Sequence, residues 1–266
     1  MLMLVLALLV LGLCLGSFVN ALVWRLHEKQ DWVKGRSKCT KCGHELSTFD
    51  LIPVASWLLL GGKCRYCHKK ISIQYPIVEL VTATIFLLSY LYWPVPISGH
   101  VIAVYILWLV VVTGLIALSV YDIRWMILPS KIIYALYPFA LIMAAINIFN
   151  AANHIGVIIG YVEATIIGGG IFYVLLQVSR GKWIGGGDVR LGFLLGLVAA
   201  TALKSFLIIF IASLIGSLVS FYFLSSNKLK HNSLIPFGPF LIIATIIVQL
   251  AGAGFIHWYT RVFLGY

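Results

Sequence analysis

The stretch VIAVYILWLVVVTGLIALSVYD, residues 101–122, decides the fold: twenty-one positions without a charge, and then an aspartate. At 1.5 Å per residue such a helix reaches roughly 32 Å, enough to cross a hydrocarbon core of about 30 Å. The aspartate at its end is the informative residue. A carboxylate costs roughly 2.5–3.5 kcal/mol at the centre of a span and less toward the interface, so one kept at membrane depth has a use. A second string, IGGGDVRLGFLLGLVAA at 184–200, places another aspartate at the start of an apolar run.

Working outward, the chain of 266 residues is 62% hydrophobic and 10% charged, with a mean hydropathy of +1.04. These values exclude an ordinary soluble domain and predict an all-α polytopic membrane protein. Eight transmembrane helices are expected, near residues 2–24, 76–93, 100–121, 132–149, 155–178, 189–203, 205–224 and 239–258. The apolar stretch 189–224 is too long for one crossing and is divided at Lys204. The first run has no basic residue before it, which marks a retained span and not a cleaved signal. The expected organisation is a first helix (1–24), a polar loop domain (25–75) and a seven-helix core (76–266).

Charge sets the orientation. With both termini outside, all of the nineteen Lys and Arg residues except Lys204 and Arg261 fall on the cytosolic side, including Arg25, Lys29, Lys34, Lys228 and Lys230. That agrees with the positive-inside rule, so the net charge of +11 is a consequence of topology and not a sign of nucleic-acid binding. On this topology Asp122 and Asp188 both lie at the cytosolic interface and can face one another. The expected location is a membrane crossed many times, with the long polar loop in the cytosol.

The long loop between the first two helices carries Cys39 and Cys42 in CTKCGH and Cys64 and Cys67 in CRYCHK, with 21 residues between the pairs. Two C-x-x-C pairs suit tetrahedral zinc, and a reducing cytosol argues against disulfides. His44 and His68 adjoin the pairs but are not needed as ligands. Cys14, alone in the first span, is read as a small buried apolar residue.

Two carboxylates sharing a proton can hydrolyse a peptide without a metal: one acts as base on water and the other donates to the carbonyl oxygen. The competing readings are a helix cap or a salt bridge to Arg124 for Asp122, and a partner of Arg190 or Lys182 for Asp188. Gly185, Gly186 and Gly187 favour the catalytic reading for Asp188, because a backbone without side chains admits a substrate strand. The string also satisfies the G-x-G-D pattern of intramembrane aspartic proteases.

With GSFVNALVWRL (16–26), the two C-x-x-C pairs, ISIQYPIVEL (71–80), YDIRWMILPSKI (121–132), GGGDVRLG (185–192) and IPFGPFL (235–241), the chain resembles the type IV prepilin peptidase family, the prepilin leader peptidase/N-methyltransferases, over nearly its whole length. The resemblance implies that Asp122 and Asp188 are catalytic. It implies removal of a short basic leader ending in glycine from prepilins and pseudopilins at the cytosolic membrane face, followed by N-methylation from S-adenosylmethionine. Residues 25–75, organised by zinc, are the candidate region for methyl transfer, with no donor-binding residue assigned. Two departures stand out: Leu128, Pro129 and Ser130 occupy the place of Ile-Pro-Asp, and Arg190 that of a lysine.

Other polar residues have plainer readings. Glu79 is read as a carboxylate satisfying amides near a helix start, or else a substrate or cofactor contact, and Glu163 as an interhelical hydrogen-bonding group. Gly168, Gly169 and Gly170 serve close helix packing. Pro236, Gly238 and Pro239 bend the start of the last span near the active site. Glu28, Asp31, Glu45 and Asp50 are the only loop acids able to meet a basic leader. A reading of a different class is a proton-coupled transporter whose zinc knuckles dock a cytosolic partner. It lacks an inverted repeat and sets the acids at the interface instead of mid-membrane.

Overall fold

A computed structural model describes residues 2–31, 35–226 and 235–259. Lys34, Lys228, Lys230 and Arg261, which enter the charge count, lie outside the described residues. Among the described residues there are helices and two isolated β-bridges, and no strand. The chain divides into two compact units, 1–91 and 92–266.

The first unit pairs α1 (Leu2–His27) with α3 (Gln74–Leu91) and carries the loop between them, including the short helix α2 (Ala55–Leu59). The pairing depends on small residues. A Cβ on Gly12 would lie 2.5 Å from Ala83 Cα, and one on Gly16 2.6 Å from Glu79 Cα, so α3 can approach only where α1 has no side chain. Buried Asn20 fastens the same seam: its Nδ2 donates to Tyr75 O at 3.1 Å, and Gln74 Nε2 donates to its Oδ1 at 3.4 Å. Cys14 is exposed, contrary to expectation, because it sits on the face of α1 opposite Gly12 and Gly16.

The second unit is built around α4 (His100–Trp125), whose Trp108, Val111, Val112, Leu115 and Leu118 are fully buried. It packs against α5 (Ser130–Phe149) and α10 (Gly238–Tyr259). The helix α6 (His154–Thr165) continues through a π-helical turn, Ile166–Gly170, into α7 (Ile171–Ser179). Against that turn lies α8 (Gly186–Ala199), and α9 (Ala202–Ser225) packs on α10. Of the three glycines read as packing residues, Gly168 and Gly169 are buried. A Cβ on Gly168 would lie 2.6 Å from Gly192 O, and one on Gly196 2.5 Å from Ala164 O. Glu163 is exposed on α6 and makes no side-chain hydrogen bond among the described residues, so its expected interhelical bond is not present.

Among the described residues, six helices are long and apolar enough to cross a membrane: α1, α3, α4, α5, the continuous α6–α7 and α9. At 14 residues α8 is about 21 Å long and falls short of a full crossing. The shorter apolar stretch of α10 is Gly238–Gly252. The break in the 189–224 run also falls earlier than expected, at Ala200 and Thr201 instead of Lys204. Ala200 takes a left-handed φ of 65°, and the Thr201 hydroxyl accepts from Lys204 N–H, ending one helix and capping the next.

Candidate active site and thiol cluster

Asp122 lies in the last turn of α4. The helix ends when Met126, with φ 54°, returns its N–H to Asp122 O at 2.8 Å. The Asp122 side chain is directed inward and the residue is 5% exposed. Its carboxylate lies against Gly238, the first residue of α10, where a Cβ would be 2.6 Å from Oδ2, and Asp188 is close enough for its charge to act on Asp122. Asp188 sits in the first turn of α8, where Gly185 N–H donates to its Oδ2 at 3.3 Å. That bond is the reach-back half of a capping box, and it fixes the carboxylate at the positive end of the helix.

Leu128 closes one side of this site. A Cβ on Gly187 would lie 2.9 Å from Leu128 Cβ, and one on Gly238 3.2 Å from Leu128 Cδ2, so this single side chain touches the starts of both α8 and α10. Gly186 faces the other way: nothing lies within 4 Å of a Cβ built there. The two carboxylates thus have a packed flank and an open one whose backbone is free of side chains. The ion-pair partners considered for Asp188 are otherwise engaged in part. Arg190 Nη1 donates to Ser130 Oγ and its guanidinium lies 5.9 Å from the Tyr134 ring centre, while Tyr137 OH donates to Arg190 O at 2.9 Å. Arg124 lies 5.0 Å over the Trp125 ring. The two departures from the family pattern, Ser130 and Arg190, are therefore in contact with each other.

Cys39, Cys42, Cys64 and Cys67 converge in the first unit, with their sulfurs all within 4.8 Å of one another. Cys39 Sγ and Cys67 Sγ are 3.9 Å apart. Tetrahedral zinc with Zn–S of about 2.3 Å needs sulfurs roughly 3.8 Å apart, so the donor set fits that ion. The two knuckles repeat one backbone pattern. Cys39 N–H donates to His44 O and Gly43 N–H to Cys39 O; Cys64 N–H donates to Lys69 O and His68 N–H to Cys64 O. Burial opposes ionisation of Cys39, but amides at Lys41 and Cys42 outweigh it and lower the thiol to about 7. Neither histidine belongs to the cluster. His44 stacks on Tyr66 with ring centres 3.7 Å apart, and His68 holds the turn position with φ 54°.

Of the loop acids, Asp50 is committed to Arg65, whose Nε lies 2.7 Å from Oδ1, and its side chain is 4% exposed. Glu45 pairs with Arg36 and Lys38. Glu79 accepts from an amide, as expected, but from Val54 of the loop at 2.7 Å. The sequence places Gly238 near the site but does not show its close approach to Asp122. The one available signal was glycine between two prolines, at Pro236 and Pro239.

Two family models match in order: the bacterial peptidase A24 N-terminal domain over residues 10–93, and the type IV leader peptidase family over residues 109–221. The first ends within two residues of the boundary between the two compact units. The chain is similar to the prepilin leader peptidase/N-methyltransferase of Vibrio cholerae, 32% identical with 90% of this chain and 93% of that protein covered. The enzyme of the same name from Pseudomonas aeruginosa is 30% identical, over 93% and 90%, and that from Bacillus subtilis 28%, over 96% and 98%. No solved structure matches the chain significantly. These matches do not favour the transporter reading, and the chain belongs to the type IV leader peptidase family.

Proposed function

We propose that this protein removes the basic leader from prepilins and pseudopilins, with Asp122 and Asp188 as an aspartic pair, and then methylates the new N-terminus. The observation that carries the reading is the Asp122 carboxylate, buried, packed against Gly238 and within electrostatic reach of Asp188. The open glycine strip at Gly185–Gly187 is suited to a substrate backbone. The relatives' name, prepilin leader peptidase/N-methyltransferase, supports both activities.

In the proposed reaction the pair holds one proton. The ionised aspartate takes a proton from water as the water oxygen bonds the scissile carbonyl carbon, and the protonated one donates to the carbonyl oxygen. Collapse of the gem-diol breaks the C–N bond, a proton passes to the leaving amine, and the pair is left again with one. The clustering of Lys and Arg supports a multi-pass inner-membrane topology with this pair and the thiol cluster on the cytosolic side and the termini outside.

Cys39, Cys42, Cys64 and Cys67 would hold a structural zinc, which gives the polar loop of residues 25–75 the stability its small core lacks. S-adenosylmethionine would supply the methyl group to the freed amine, and the loop is the segment proposed to receive it.

The test is intact mass spectrometry of a prepilin incubated in membranes with the protein and S-adenosylmethionine. Loss of the leader, then a gain of one methyl group, is expected. Asp122→Asn and Asp188→Asn should each slow cleavage by about a thousandfold. Cleavage by either variant at the wild-type rate would refute the pair.

A further inference from the structure

Glu79 takes no part in the chemistry proposed above, yet it is a carboxylate only 6% exposed. Its Oε2 accepts from Val54 N–H at 2.7 Å, and its backbone lies against α1, where a Cβ on Gly16 would be 2.6 Å from Glu79 Cα. The backbone it holds is unusual. Val54 has φ 60° and ψ −51°, and Ala55 N–H reaches back to Pro53 O at 2.5 Å. That is a γ-turn with positive φ at its centre, the rare and strained form, built here on a β-branched residue. Such strain persists only where the surroundings over-determine it.

What the turn controls follows from the next contacts. It starts α2, whose Trp57 donates through Nε1 to Ile71 O at 3.3 Å. Gly62 N–H donates to Trp57 O at 2.8 Å, and Ile71 N–H to Gly62 O at 2.8 Å. Gly62 has φ 67°, and a Cβ there would lie 2.9 Å from the Trp57 ring, so only glycine lets the indole close on this turn. Two residues later comes Cys64, the first sulfur of the second knuckle. A continuous line of contacts therefore runs from the paired helices α1 and α3, through Glu79 and Val54, to the thiol cluster.

We propose that Glu79 is a positioning residue for methyl transfer: by holding the Pro53–Val54–Ala55 turn, it sets α2 and the second cysteine knuckle against the membrane helices α1 and α3. This inference rests on the proposed assignment of methyl transfer to residues 25–75.

The experiment uses the full-length protein in membranes with a prepilin and S-adenosylmethionine. It compares wild type, Glu79→Gln, Glu79→Leu and Glu79→Leu with Val54→Gly. Hydrogen exchange over residues 53–62 is read alongside the rates of cleavage and methylation. Loss of a charged hydrogen-bond acceptor should speed exchange about ten- to hundredfold in Glu79→Leu and slow methylation by a similar factor. Leader cleavage should stay within about threefold of wild type. Glu79→Gln, keeping one acceptor oxygen, should fall between. Val54→Gly should restore methylation to Glu79→Leu, because glycine adopts the turn without a clamp. Equal losses of cleavage and methylation, or no rescue by Val54→Gly, would overturn the positioning role. Unchanged exchange in Glu79→Leu overturns it whether or not the wild type methylates. A wild type that cleaves without methylating refutes the assignment of methyl transfer itself.

Discussion

A Cβ on Gly238 would lie 2.6 Å from Asp122 Oδ2, so the buried carboxylate packs directly on the backbone at the start of α10. By lacking a side chain, this one residue leaves the room the carboxylate occupies. Gly238→Ala forces the carboxylate or the start of α10 to shift. Overpacking of this kind costs about 1–3 kcal/mol, so the rate of leader cleavage should fall about five- to hundredfold. The variant should still extract from membranes as a monodisperse protein. Cleavage within about threefold of wild type would remove Gly238 from the site.

Asp188 depends on how α8 is seated. A Cβ on Gly196 would meet Ala164 O at 2.5 Å and Thr165 Cα at 2.7 Å, both backbone atoms that cannot rotate away. One on Gly170 would meet only Ile166 Cγ2, at 3.7 Å. Gly196→Ala should therefore lower the thermal midpoint, by about 2–10 °C for an overpacking cost of about 1–3 kcal/mol, and reduce cleavage with it. Gly170→Ala should leave both unchanged or raise the midpoint slightly. Equal midpoints for the two variants would show that α8 is not held by this close approach.

What was legible in the sequence was local or chemically costly. Asp122 and Asp188 stand out because a carboxylate in an apolar chain needs a reason, and the four cysteines because each pair carries its ligand spacing within four residues. The contacts that complete the site are not local: Gly238 lies 116 positions from Asp122, and Arg190 lies 60 from the Ser130 hydroxyl it bonds. The helix break shows a different limit. The sequence division falls at Lys204, but the backbone turns at Ala200, whose left-handed φ no alanine propensity announces. Glu163 and Cys14 were misread for one reason: a membrane sequence is apolar on the lipid side too, so composition does not say which face of a helix is inside.

The two knuckles should bind one zinc ion per chain. Metal analysis of purified protein tests this, and Cys64→Ser with Cys67→Ser should abolish it. The histidines give the sharper result. His44 stacks on Tyr66 and His68 occupies a positive-φ turn position, so neither is a ligand here. His44→Ala and His68→Gly should each retain a full equivalent of zinc, and loss of the metal in either would place an imidazole in the coordination sphere.

Asp50 gives the loop a dependence on pH whose sign is fixed by its neighbours. Burial alone would raise its pKa, but hydrogen bonds from Arg65, Ser47 and Tyr66 outweigh that and hold the carboxyl at about 2, below its ordinary value of 3.8. A carboxyl depressed by folding contributes stability above its unfolded pKa and loses it as pH falls toward the folded value. Asp50→Asn removes the charge at every pH. Hydrogen exchange over residues 47–66, measured on zinc-free full-length protein, should therefore be faster in Asp50→Asn by a constant factor from neutral pH down to about pH 5. The difference should shrink progressively below about pH 4 and vanish near pH 2, where the folded wild-type carboxylate takes up its proton. A difference that persists undiminished to about pH 2 would mean that the shape of the Asp50 side chain, and not its charge on Arg65, holds the loop.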